Sequence, residues 1–240
     1  MSENKKQAAL NRAVFTQDTF DSSSLTVLTT LIHRFPEAGD YEVYVHSARK
    51  PVRRLHVHVS PEYGDNQINL DLSNPEGGDH ACGCGARAGY ELAAGGVMGF
   101  YVSQGAGRYS VQITQMDNQK EKKRTLLKSE EDVPEGDFFA VTLVRPGTYR
   151  VVTSNGNEEK KIRVRMPKGK PYRVDEAVLI RLRKSGDFER RGVQLYPGQS
   201  VVFQMDTSAR IRLMLDEAED GIQAPSRRPK PRRRNPKQGA

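Results

Sequence analysis

The chain has no tryptophan, two cysteines and no long apolar run, and each shortage excludes something. A membrane-spanning helix needs about 18 or more consecutive apolar residues, so a helical membrane protein is excluded. Cys82 and Cys84 are the only cysteines, too few for the disulfide framework of a small secreted scaffold. The first residues, MSENKKQAALNRAVF, lack the apolar centre of a secretory signal, and a cytoplasmic location is expected. Familiar catalytic motifs are missing too. There is no Gly-x-Ser-x-Gly elbow, no phosphate-binding glycine loop opening a helix, no His-Glu-x-x-His, and no carboxylate pair that stands out from surface charge. An enzyme is therefore not expected. Helical periodicity is nearly absent, and alternation of period two takes its place from Ser23 to Leu215.

Acidic charge is missing from one place in particular. The net charge is +8, but the last fifteen residues, SRRPKPRRRNPKQGA, hold seven basic side chains and no acidic one. These are Arg227, Arg228, Lys230, Arg232, Arg233, Arg234 and Lys237. Pro229, Pro231 and Pro236 forbid a regular helix there, and few apolar side chains remain to pack. A disordered polycation is expected over 221–240, with a nucleic acid or an anionic membrane surface as its target. The rest of the chain is close to neutral, which argues against a globally basic nucleic-acid-binding domain.

The clearest positive signal is Pro146 to Met166, PGTYRVVTSNGNEEKKIRVRM. Tyr149, Val151 and Thr153 alternate with Arg150, Val152 and Ser154, Asn155-Gly156 suits a tight turn, and Lys161 to Met166 alternates on the way back. This is a β-hairpin. Its Gly-x-Tyr-x-Val opening returns at Gly39 to Val45 and at Gly107 to Ile113, with a weaker copy at Gly198 to Phe203. In the first copy Tyr41, Val43 and Val45 share a face with Leu55, Val57 and Val59. The opposite face carries Glu42, Tyr44, His46, Arg54, His56 and His58.

Further strands are expected at Ile68 to Leu72, Val97 to Val102, Phe138 to Val144, Ala177 to Arg183, Gly192 to Leu195, Ser200 to Gln204 and Arg210 to Leu215. Ser23 to Phe35 reads as one strand or two joined by a bend, 74–96 as a long glycine-rich loop, and Asp117 to Arg124 as a loop or linker. Short strands this dense need a second layer to cover their apolar faces. The predicted architecture is all-β: an N-terminal arm (1–14), two tandem antiparallel β-sandwich domains (15–120 and 125–220) and the basic tail (221–240).

The Gly-x-Tyr-x-Val hairpin resembles the late-strand hairpin of immunoglobulin-like and cupredoxin-like sandwiches. In the immunoglobulin case a tyrosine bonds back to the backbone at a sheet corner, a role the resemblance assigns to Tyr41, Tyr109 and Tyr149. PGTYRVVT also matches the cupredoxin run before the copper loop, except that Thr153 stands where that family has its ligand cysteine. The resemblance implies sandwich topology and not type 1 copper chemistry.

Two constellations remain as candidate sites. His80, Cys82 and Cys84 could chelate zinc or copper if distant ligands such as His56, His58 or His46 joined them; the alternative is free thiols in a loop and exposed histidines balancing Glu42. Lys161, Arg163 and Arg165, Arg181 and Arg183, and Arg210 and Arg212 each lie at i, i+2 spacing. If their strands share one sheet they form a basic plane for phosphates, anionic lipid or an acidic protein; otherwise they are an ordinary solvated face. The expected function is that of a non-enzymatic structural or accessory subunit, which binds protein partners through sheet faces and a polyanion through its tail. A metal-binding protein is the alternative.

Overall fold

The computed structural model describes residues 13–74, 89–117, 122–156, 159–167, 176–190 and 192–219. Their regular structure is nearly all strand, and the one helix among them, α1 (Ala13–Thr16), is a single turn. Alternation dictates the register. β3 (Gly39–Ser47) and β4 (Lys50–Ser60) pair antiparallel, with Tyr41 opposite Val57 and Val43 opposite Leu55, all four buried. β10 (Gly147–Thr153) and β11 (Lys160–Val164) pair with Tyr149 opposite Ile162, again both buried.

The pairings of the first half recur in the second. β2 (Thr29–Arg34) pairs antiparallel with β6 (Gly89–Tyr101), as β9 (Phe138–Leu143) does with β14 (Gln199–Met205). β3 lies between β4 and β7 (Tyr109–Asp117), as β10 lies between β11 and β15 (Ile211–Ala218). β5 (Asp65–Asp71) runs parallel to β6, as β12 (Val178–Leu182) does to β14. The start of β6 runs parallel to β4, as β13 (Gly192–Leu195) does to β11. β13 and β14 are thus the counterpart of the single strand β6. The interruption between them, Tyr196-Pro197-Gly198, matches an irregular register in β6 between Leu92 and Val97: the Gly95 amide donates to Phe35 O (2.7 Å), and the Gly198 amide to Leu143 O (2.8 Å).

Local details repeat as well. Leu28 (φ 70°) and Gly136 (φ 90°) hold the same left-handed turn position, closed by Thr29 N to Thr26 O (3.1 Å) and Asp137 N to Pro134 O (3.3 Å). The Tyr41 hydroxyl donates to Glu37 O (2.7 Å) and the Tyr149 hydroxyl to Arg145 O (3.1 Å), each four residues back. The buried hydroxyls Ser129 Oγ and Ser22 Oγ accept from Val111 N (2.9 Å) and Ile211 N (3.0 Å).

Each half completes the other's sheet. β8 (Lys122–Lys128), which leads into the second half, pairs with β7 of the first, and β1 (Thr19–Asp21), which leads into the first, pairs with β15 of the second. The halves also meet edge to edge, where β2 pairs with β9 through Leu31 and Phe139. Beside this seam the buried His33 Nδ1 lies 2.7 Å from Asp137 Oδ2, and the Arg34 amide donates to Asp137 Oδ1 (3.2 Å). The result is a five-stranded sheet, β1-β15-β10-β11-β13, and a ten-stranded one, β12-β14-β9-β2-β6-β4-β3-β7-β8 with β5 on β6. One connected core underlies both, with Phe35, Phe100, Phe139 and Phe203 fully buried. Each such ring contributes roughly 1.5–3 kcal/mol.

Several sequence expectations are corrected. Gly89 to Gly96 is strand and not loop, because Tyr90 and Leu92 alternate inward. Gly96 suits a crowded point, where a Cβ would come within 2.8 Å of Ala93 O. Lys122 to Arg124 opens β8 and is not linker. Ser23 to Leu28 is turn and bridge, and β2 begins only at Thr29. Tyr109 is half-buried and makes no corner bond; it starts β7 at the rim, where its backbone bridges to Leu25.

Candidate functional site

A recess in the described surface lies where the two halves exchange their leading strands. It is a groove of about 670 Å³ lined by Arg49, Arg108, Ser110, Lys128, Glu130 and Arg210, among others. Arg108 also borders neighbouring depressions of about 350 and 300 Å³.

The lining comes from turns and strand ends. Ala48 (φ 49°) and Arg49 (φ 65°) form the tip of the β3–β4 hairpin, both left-handed although neither is glycine. Such a two-residue turn normally takes Asn-Gly, since a side chain there costs roughly 1–2 kcal/mol per residue. The strain presents Arg49 to the groove. Neither Arg49 nor Arg108 has a hydrogen-bond or ionic partner among the described residues, and both are exposed. Other charges there are engaged: Lys128 pairs with Glu131, and Ser110 Oγ donates to Glu130 Oε1 (2.9 Å).

Asp21 lines the adjacent depression of about 300 Å³, together with Arg210, which also lines the groove. Arg210 reaches the Asp21 carboxylate through Nε (2.8 Å) and a terminal nitrogen (2.7 Å), and Arg212 through Nε (2.8 Å). Burial works to raise the Asp21 pKa, but hydrogen bonds from Arg210, Ser23 and Arg212 outweigh it and hold the carboxyl well below its usual range.

The predicted basic series does not make one plane. Lys161, Arg163, Arg210 and Arg212 lie on or beside strands of the five-stranded sheet, and Arg165 follows β11, but Arg181 and Arg183 belong with β12 in the other sheet. Arg210 and Arg212 are tied to Asp21, and Arg181 Nε lies 3.6 Å from Asp206. Arg150, between β11 and β15, is paired with Glu159 (3.1 Å) and Asp216 (3.3 Å).

The outward face of β3 and β4 holds a second polar group. The Glu42 carboxylate is buried and receives Tyr44 Oη (2.5 Å), Arg54 and Lys123 Nζ (3.5 Å). Desolvation alone would raise its pKa, yet these donors lower it to about 2. Glu42 therefore does not balance the histidines as expected. Asp40 does: its Oδ1 lies 2.8 Å from His58 Nδ1 and 3.5 Å from His56 Nε2. His46 is six residues along β3, about 20 Å away at strand rise, beside a register shift. His80, Cys82 and Cys84 lie outside the described residues, as do the seven basic residues of the tail. Among the described residues no three His, Cys, Asp or Glu side chains are already gathered as a metal cage, and no helix is long and apolar enough to cross a membrane.

Sequence reasoning missed Arg49, Arg108, Asp21 and Asp40. Asp40 had a readable signal, because the hairpin register that aligns Tyr41 with Val57 also aligns Asp40 with His58. The others had none, since they meet through strand exchange. No family model, curated protein or solved structure matches the chain.

Proposed function

We propose that the protein is a non-enzymatic accessory subunit, built as two tandem β-sandwiches of immunoglobulin- or cupredoxin-like topology, that holds an anionic partner in the groove between its halves. The observation that carries this reading is the strained Ala48-Arg49 turn, which presents an unpartnered arginine beside the unpartnered Arg108. Backbone strain that persists at a recess is a common mark of a functional position. Arginine suits the role because its planar fork binds phosphate or carboxylate in two-point fashion. The repeated strand pairings support the tandem architecture, and the seven basic residues of the tail add a sequence-nonspecific attraction to the same partner. Protein partners dock on the sheet faces, and the setting is cytoplasmic.

The test is binding of the full chain to labelled duplex DNA, single-stranded RNA and anionic vesicles, alongside an Arg49→Gly, Arg108→Gln double variant and a chain lacking residues 226–240. Both changes should weaken binding to one of these probes. If the tail's seven charges all engage duplex DNA, the tail's share of the log K against log salt slope should be no steeper than about −6. Binding that is absent in the intact chain, or unchanged in both variants, rejects the reading.

A further inference from the structure

His56 and His58 stand at i, i+2 on β4 and point to the same outward face, and Asp40 on β3 is the direct cross-strand partner of His58. On the other side of His58, Glu91 of β6 is its parallel partner, exposed on that same face. Three strands therefore place two imidazoles and two carboxylates on one outward face, not yet gathered into a cage. They lie at the far end of the β3–β4 hairpin from Arg49, so they are separate from the groove.

The spacing of the donors matters. Asp40 Oδ1 is 2.8 Å from one imidazole nitrogen and 3.5 Å from the other. In a tetrahedral zinc shell, with bonds of about 2.0–2.1 Å, neighbouring donor atoms stand about 3.3 Å apart. The side chains are 46 % (His56), 44 % (His58) and 29 % (Asp40) exposed, so an ion reaches them from solvent. Gathering them around an ion requires only rotation of these surface side chains, since the backbone already aligns them. The nearby buried carboxylate, Glu42, neutralises Arg54 and Lys123, the cations that would otherwise oppose a metal ion on this face.

We propose that Asp40, His56 and His58 bind a divalent first-row transition ion of imidazole and carboxylate preference, with Glu91 or water completing the shell. Each imidazole binds through a nitrogen lone pair, and any proton it carries is released on loading. Zinc, nickel and copper(II) fit this donor set, whereas calcium and magnesium, which favour all-oxygen shells, do not.

The test titrates the full chain with Co²⁺ followed by absorption, and with Zn²⁺ followed by calorimetry. One equivalent of each should bind, and the Co²⁺ spectrum should lack a thiolate charge-transfer band. His56→Gln and His58→Gln should each weaken binding at least tenfold, with unchanged circular dichroism because both side chains are on the surface. Asp40→Asn should weaken it less, and His46→Gln and a Cys82→Ser, Cys84→Ser double variant should bind as the parent does. Unaltered binding in the His56→Gln, His58→Gln double variant would overturn the proposal. So would a thiolate band that disappears together with binding in the cysteine variant, or no binding to the intact chain.

Discussion

Tyr41 and Tyr149 make the same bond from equivalent places: each ring is fully buried, and each hydroxyl donates to the carbonyl four residues upstream, at the entry to its hairpin. The pair anchors the two halves of the core in the same way. Tyr41→Phe and Tyr149→Phe should each cost about 1 kcal/mol, the net value of one buried hydrogen bond, and Tyr149→Ala about 3 kcal/mol or more through the cavity it leaves. Tyr109→Phe should change little, because its hydroxyl has no such bond. Urea denaturation of the three phenylalanine variants checks the ordering.

Asp137 should matter more than its single charge suggests. It accepts from the Arg34 amide and faces His33 at the buried seam between β2 and β9. Asp137→Ala leaves both groups without that partner, at about 1–3 kcal/mol each. A fall in unfolding free energy of less than about 0.5 kcal/mol, the range of surface changes, would show that the seam does not depend on it.

Acid should loosen the β3–β4 face through Glu42. Its carboxyl titrates at about 2 in the folded chain against 4.5 for a free glutamate. The folded value is the lower one, so the contribution is fully present above about pH 4.5 and is lost as pH falls through 2. Because Arg54 and Lys123 are half exposed and screened by solvent, the contribution is about 1–2 kcal/mol. Glu42→Gln should be less stable than the parent at pH 7, and the gap should close on acidification to pH 2. Parallel stability curves across that window would refute the assignment.

Strain at the hairpin tip should be separable from its use. Arg49→Gly removes a side chain from a left-handed position and should raise stability by about 1 kcal/mol, while the same change weakens anion binding in the groove. A loss of stability would mean that the arginine serves the fold. The opposite case is Gly147 (φ 150°), where a Cβ would meet Glu217 O at 2.3 Å. Gly147→Ala should cost more than about 2 kcal/mol in thermal or urea unfolding.

Asp21 should restrain the groove's charge. Asp21→Asn frees Arg210 and Arg212 from their shared carboxylate. Tighter anion binding is expected, together with a stability loss of about 1–3 kcal/mol. Weaker binding in a folded variant would place the anion elsewhere.

Local alternation in the sequence determined the all-β character, the faces of β3, β4, β10 and β11, and the buried places of Tyr41 and Tyr149, because side chains on a strand must take opposite sides and the apolar set must go inward. It also exposed the recurring hairpin, though not that whole sets of pairings recur with it. Tertiary structure alone decided that β8 pairs with β7, that β1 closes on β15, and that β2 meets β9. Alternation says which face a strand buries and nothing about which edge it finds. For that reason Lys122 to Arg124, polar enough to read as a linker, became an edge strand, and Arg181 and Arg183 left the plane expected for them. The groove depends wholly on those pairings. Arg49, Arg108 and Asp21 are unremarked charges in the sequence until the two halves exchange their leading strands and bring the ends of distant strands together.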